Sequence, residues 1–182
     1  MGVDFVVFRL VLGIFAVLIP NHVEAAQFKW TNIFCAGHNE SWVHMNECRL
    51  RAISRNLTTL NLNASIFHPV NDITLDVQLF KKANGYKPWI FKSVVDMCRF
   101  LKTKYNPYAK IAFTLVKDFS NLNHSCPYWG LAIVKDFYVN PVKVGLPFPT
   151  GDYLLGMKWL YDKKLQMTTN FYFSYTENVI DM

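Results

Sequence analysis

The sequence predicts a mainly all-β fold: an antiparallel β-sandwich of about seven to eight strands, with a helical insertion near residues 96–120. Three observations carry that reading. Period-two alternation recurs along the chain, as where Leu60, Leu62, Ala64 and Ile66 interleave with Thr59, Asn61, Asn63 and Ser65. Turn chemistry separates the alternating runs, at Asn84-Gly85 and at Asp162-Lys163-Lys164. The period becomes helical only between Asp96 and about Asn121. Short alternating strands punctuated by turns bury one face each, and packing two such faces together gives a sandwich.

Taken in order, residues 1–25 read as a secretory signal: Arg9 precedes the apolar run Leu10 to Ile19, Pro20 ends it, and Val23 and Ala25 offer a cleavage site. The run is too short to span a bilayer. Residues 26–182 then form one domain, secreted and extracellular. Gln27 to Cys35 is a first strand, Ala36 to Asn46 a polar connection, and Cys48 to Ile53 a second strand. If those two strands pair antiparallel, Cys35 and Cys48 face each other near the loop. Thr58 to Phe67 is a half-buried strand that His68-Pro69 breaks. Ile73, Leu75, Val77 and Leu79 mark the next strand, and the Asn84-Gly85 turn returns the chain through Trp89 to Val95.

The helical insertion opens at Asp96, with Met97, Phe100 and Leu101 at helical spacing around Cys98. Asn106-Pro107 has the form of an N-cap followed by proline at the first helical position. Ala109, Ala112, Phe113 and Val116 make an apolar stripe behind it. Strand character resumes from Leu131 to Tyr138, LPFPTG (Leu146 to Gly151) is a rigid turn, and a final hairpin alternates through Tyr153, Leu155, Met157, Trp159 and Tyr161, then Leu165 to Tyr175. The insertion is a flap, clipped over the strands if Cys98 and Cys126 are joined.

An even count of four cysteines in a secreted chain reads as two disulfides. Three connectivities are possible, and the sequential one, Cys35–Cys48 with Cys98–Cys126, is favoured. Loop-closure entropy gives roughly 3 kcal/mol for the short loop and ~3.6 kcal/mol for the long one. Four glycosylation sequons, at Asn39, Asn56, Asn63 and Asn123, agree with secretion. Residues 1–25 hold Arg9, Asp4 and Glu24, which leaves 18 basic against 11 acidic residues in the remainder, a net +7. The basic residues are scattered in pairs, the pattern of a solvated surface, and no nucleic acid partner is expected.

Chemistry is sparse. The carboxylates form no close pair on a common face, as a glycosidase needs, and Asp96, Asp118 and Asp152 read as capping or turn residues. Nucleophile elbow and phosphate-loop patterns are absent. Cys35-x2-His38 and His44-x3-Cys48 have zinc-like spacing, but the loop is short, carries the sequon Asn39, and oxidation would bridge the thiols first. We therefore expect no metal, no cofactor and no enzymatic activity. The aromatic content, 16%, is the feature that stands out. It fits either a well-filled core or splayed sheets around an apolar pocket.

At ECRLRAISRN, LFKKANGYKPWIFKSVVDMCRFLK, NHSCPYWG and LPFPTGDYLL the chain resembles an insect-expanded secreted family, long labelled only a domain of unknown function and related to the CheA/CheB chemosensory proteins. The likeness runs from about Cys48 to Phe173. That family in turn resembles, more distantly, the ML lipid-recognition domains, which include ganglioside-activator and sterol-carrier proteins. The resemblance implies an immunoglobulin-like β-sandwich of ML type, with a hydrophobic cavity between its sheets and a non-enzymatic, chemosensory role. ML domains commonly hold more disulfides than the two available here. Residue by residue it carries over the cysteines and Tyr86, Pro88, Asp96, Pro127, Tyr128, Pro147, Pro149, Gly151 and Tyr153, in structural roles.

The resulting expectation is a binding protein for a hydrophobic small molecule, lipid or pheromone-like, with a membrane receptor as a further candidate partner. Candidate lining residues are Leu75, Val77, Leu79, Trp89, Phe91, Phe113, Met157, Trp159, Phe171 and Phe173, gated by the flap. The alternative is a solid-core module that binds a receptor or other extracellular protein, with Lys81, Lys82 and Lys87 at its surface.

Overall fold

Among the described residues the chain forms eight strands and two short helices. They are β1 (Gln27–Gly37), β2 (Val43–Ala52), β3 (Thr58–Val70), β4 (Ile73–Ala83), β5 (Gly85–Asp96), α1 (Met97–Thr103), α2 (Pro107–Val116), β6 (Tyr128–Phe137), β7 (Gly151–Tyr161) and β8 (Lys164–Thr176). The computed structural model describes residues 26–141 and 148–177. Residues 1–25, expected to be a secretory signal, and Leu146 and Pro147 lie outside the described residues. A five-stranded sheet has the order β1-β8-β7-β4-β5, and a three-stranded sheet the order β2-β3-β6. Every pairing is antiparallel. This is the expected sandwich.

Alternation places the inner faces. On the larger sheet Leu79, Leu155, Phe171 and Ile33 stand side by side across four strands, and Tyr153, Phe173 and Trp30 form the adjoining row. On the smaller sheet Leu50, Leu60 and Phe137 make one inner row, and Cys48, Leu62 and Val134 the next. The turns follow their sequence chemistry. Gly85 takes φ 84° in the β4–β5 hairpin, and Asp162 and Lys163 take φ 47° and 63° between β7 and β8.

Both disulfides connect as expected, Cys35 to Cys48 and Cys98 to Cys126. Their settings differ from expectation in one respect. β1 and β2 do not form a hairpin ladder: β1 pairs with β8, and β2 pairs with β3 in the other sheet. The inner apolar row of β1 (Phe28, Trp30, Ile33) has its match in Tyr175, Phe173 and Phe171, whereas β2 is joined to β3 by a short turn. Cys35–Cys48, with Cα atoms 6.3 Å apart, therefore links the edge strands of the two sheets.

Three further expectations need correction. The polar connection after Cys35 ends earlier, because β2 begins at Val43, whose side chain is completely buried. His68-Pro69 does not break its strand. β3 continues to Val70, and the proline falls where the β3–β6 register shifts between Ile66 and Val70, so its missing N–H interrupts no ladder bond. The polar side of β3 is not all solvent-facing either. Thr59 and Asn61 are buried, opposite Arg51 and Arg49 on β2. The Asn61 side-chain oxygen accepts the Asp136 N–H at 2.9 Å.

The insertion is helical for the reasons its sequence offers. Asp96 caps α1 by accepting the Arg99 N–H at 2.9 Å, and Asn106 caps α2 by accepting the Ala109 N–H at 3.0 Å, with Pro107 as its first residue. The apolar stripe of α2 is rotated from the expected one: Ala112 is exposed, while Ile111 and Leu115 join Ala109, Phe113 and Val116 in half-burial. A short 3₁₀ turn, Lys117–Phe119, ends the insertion.

Candidate functional site

The interior divides into two clusters of different tightness. One gathers Val43, Ala64, Ile66, Val70, Ile73, Cys98, Tyr128, Tyr161 and Met167, all buried. Ala64 there is 1% exposed. This end is closed. Tyr161 illustrates its dryness, since burial pushes its hydroxyl pKa up to about 12. Burial raises the Tyr128 hydroxyl in the same way.

The second cluster centres on Trp30, Leu60, Leu79, Phe137, Tyr153 and Phe173. Around these sit Ile33, Leu50, Leu62, Val134, Leu155 and Phe171, which also point between the sheets yet stay only half-buried. Inward-facing apolar side chains that keep accessible surface mean that packing is open here. The rings meet at varied angles: Phe28 and Tyr153 stack on Phe173 at 4.8 and 5.3 Å, and Trp30 lies 5.7 Å from Phe137 across the sheets.

The insertion spans both clusters. α1 is anchored in the closed one through buried Cys98 and its bridge to Cys126, with Met97 and Leu101 alongside. α2 has no buried residue, and it covers the open cluster through Leu115, Val116 and, from the 3₁₀ turn, Phe119. Contacts to β5 position it. The Tyr108 ring lies 4.8 Å from Phe91, Asn106 Nδ2 donates to Ser93 Oγ at 3.2 Å, and the Asp96 N–H donates to the Tyr105 hydroxyl at 3.0 Å. Gln78 Nε2 donates to the Phe91 carbonyl at 3.0 Å, securing the irregular β4–β5 pairing beside it.

The ten expected lining residues separate accordingly. Leu79, Trp89, Phe91, Phe171 and Phe173 belong to the open cluster. Trp159 belongs with the closed one, its Nε1 donating to Thr169 Oγ1 at 3.0 Å. Leu75 and Val77 are buried, Met157 is half-buried between Val77 and Thr169, and Phe113 packs on Phe100 from α2 at 5.8 Å. Trp30, Phe28 and Ile33 were missed, because a register shift between Trp30 and Asn32 hides the alternation of β1. Leu62 and Leu155 carried the right signal, alternating with the core residues beside them. Phe148 lies on Trp89 and Tyr153, in the proline-flanked segment read only as a turn.

Two lysines stand over aromatic rings. Lys81 Nζ stands 5.6 and 5.7 Å from the Trp89 and Tyr153 rings, and Lys104 Nζ lies over Phe113 and Phe100. The candidate carboxylates have structural employment: Asp96 caps α1, Asp152 pairs with Lys82 at 3.3 Å, and Asp118 lies in the 3₁₀ turn. The zinc-like quartet offers no thiolates, since Cys35 and Cys48 bond to each other, and the His38 ring hydrogen-bonds Thr168 Oγ1 at 2.8 Å. Of the sequons, Asn39 lies in the turn after β1, Asn56 between β2 and β3, Asn63 on the outer face of β3 beside Asn46, and Asn123 in the loop before Cys126.

Comparison with known proteins adds three findings. A family model described as a protein of unknown function, DUF1091, matches residues 75–155, fewer than half of the 182 residues. No curated protein matches the chain. Among solved structures, the chain is similar to a Niemann-Pick type C2 protein from the Japanese carpenter ant, with 11% identity and a TM-score of 0.32 over 85% of this chain and 95% of that one.

Proposed function

We propose that the protein carries a hydrophobic small molecule of lipid type between its sheets, beneath α2. One observation carries this reading: at one end of the sandwich the inward-facing apolar side chains remain accessible, and the helix over them buries none of its own residues. Apolar burial drives such binding, at about 25 cal/mol per Å² of surface removed from water. The protein acts by binding and not by catalysis. Two disulfides and four sequons support an extracellular setting, and the likeness to chemosensory families supports a pheromone-like ligand passed to a membrane receptor.

Native mass spectrometry of the protein expressed in insect cells, before and after organic extraction, tests the carrier. The expected result is a bound species of small-molecule mass that leaves on extraction or returns on soaking with long-chain lipids. A mass explained by peptide, glycans and disulfides alone, unchanged by soaking, overturns it. A second reading, an interaction module, draws support from exposed apolar residues on the outer faces. Ile90 and Val94 on β5 are 80% and 60% exposed, and Phe67, Trp129 and Leu131 are exposed at one end of the smaller sheet. Retained partner binding by a protein that takes up no lipid would select it.

A further inference from the structure

We propose that Lys104 is the head-group anchor of the site, so that the carried molecule is a single-chain anionic amphiphile; the proposal rests on the carrier reading and narrows its ligand class. Lys104 is the C-cap of α1, in the left-handed conformation at φ 50°, with its N–H donating to the Phe100 carbonyl at 2.7 Å. Glycine or asparagine fits that backbone better than lysine does. The left-handed turn lays the side chain back over two rings, with Nζ 3.8 Å from the Phe113 centroid and 4.8 Å from that of Phe100.

That ammonium has ring faces for partners and, among the described residues, no anion. Among the described residues ion pairs form at Arg49–Glu47 and Lys82–Asp152, and neither involves the insertion. Of the insertion's own carboxylates, Asp96 caps α1 and Asp118 lies in the 3₁₀ turn. Burial lowers the Lys104 pKa, so an anion placed beside the ammonium would be welcome. Arg99 adds a second cation to the same run of rings, its guanidinium 4.7 Å from Tyr105, which continues into Phe100 and Phe113. This cationic joint lies between α1 and α2, and α2 covers the open cluster through Leu115 and Val116. A chain between the sheets with its head at the joint places each half of an amphiphile against its own chemistry. A neutral sterol or hydrocarbon leaves the ammonium unpaired.

The test uses the full chain with both disulfides formed and displacement of a fluorescent naphthylamine by palmitate, hexadecyl phosphate and methyl palmitate. The wild type is expected to bind one or both anions about tenfold more tightly than the ester, the scale of a hydrogen bond to a charged group. Which anion binds better distinguishes a carboxylate from a phosphate head. Lys104→Met keeps the aliphatic packing and should bring the anions down to the affinity of the ester, whereas Lys104→Arg should retain the preference. Equal affinity for anions and ester in the wild type, a comparison that needs no variant, overturns the anchor and leaves the carrier standing. Preference that survives in Lys104→Met also overturns it. If the wild type takes up none of the three lipids, the carrier reading fails and the anchor with it.

Discussion

Filling the open end should block binding at little cost in stability, whereas adding the same kind of bulk to the closed end should do the reverse. Leu155 points between the sheets, flanked by Leu79 and Phe171, and is half-buried. Leu155→Trp therefore extends an indole into accessible space. Ala64 is 1% exposed and stands between Met45 and Ala132 on the neighbouring strands. Ala64→Leu forces three carbons into filled volume. Overpacking of that kind costs about 1–3 kcal/mol. In a domain of this size each kcal/mol moves the melting temperature by about 2–4 °C, so Ala64→Leu should lower it by about 2–12 °C.

Two readouts on each variant decide the matter: thermal melting by circular dichroism, and uptake of a fluorescent naphthylamine per folded molecule. Leu155→Trp should melt within about 2 °C of the wild type and lose uptake. Ala64→Leu should melt lower and keep uptake below its transition. A drop for Leu155→Trp as large as that for Ala64→Leu would mean that both ends are filled, and the argument from half-buried inward residues would be wrong.

Other consequences follow from particular contacts. Replacing Cys35 and Cys48 together by serine should cost about 3 kcal/mol, read as a shift in the urea midpoint, because the bridge joins two sheets that share no ladder there. Burial raises the Tyr161 hydroxyl from 10.0 to about 12. The folded protein then holds a proton that the unfolded chain releases, so stability is full below about pH 10 and falls as pH rises toward about 12. Burial raises Tyr128 and Tyr153 in the same direction, so Tyr161→Phe should shrink the alkaline loss seen in denaturation midpoints without abolishing it. Asn106→Ala removes the α2 cap and its link to Ser93. A loss of about 1 kcal/mol should speed hydrogen exchange in α2 severalfold while leaving the amides of α1 unchanged.

The alternating segments made most of the fold legible, because period-two patterning fixes which face is buried regardless of which strand lies alongside. β4, β7 and β8 read correctly for that reason, as did the Asn84-Gly85 turn and the Asp96 and Asn106 caps, where one residue type meets one local need. What alternation does not contain is the partner. Cys35 and Cys48 are close in sequence and so suggested a hairpin, yet β1 finds its complementary aromatic row on β8, more than a hundred residues away. The candidate site was partly legible for a related reason. Phe91, Phe171 and Phe173 announced an inward apolar face, but whether such a face is filled depends on what crosses from the other sheet. Leu75 and Val77 are sealed while Leu155, on the same inner face, is not.

The asymmetry between the two ends has a mechanical meaning. As the lid of the proposed carrier, the insertion would need one part that stays and another that yields. Cys98 and fully buried Phe100 hold α1, and the bridge to Cys126 ties the insertion's far end to the same cluster. α2 lies between those fixed points with no buried side chain of its own, so its local opening should cost less than global unfolding. Both fixed points are at the closed end. In the proposed carrier, motion of α2 would therefore uncover the open cluster without disturbing the packing around Val43, Ala64 and Tyr161. That separation is why substitutions at the two ends should move binding and melting independently.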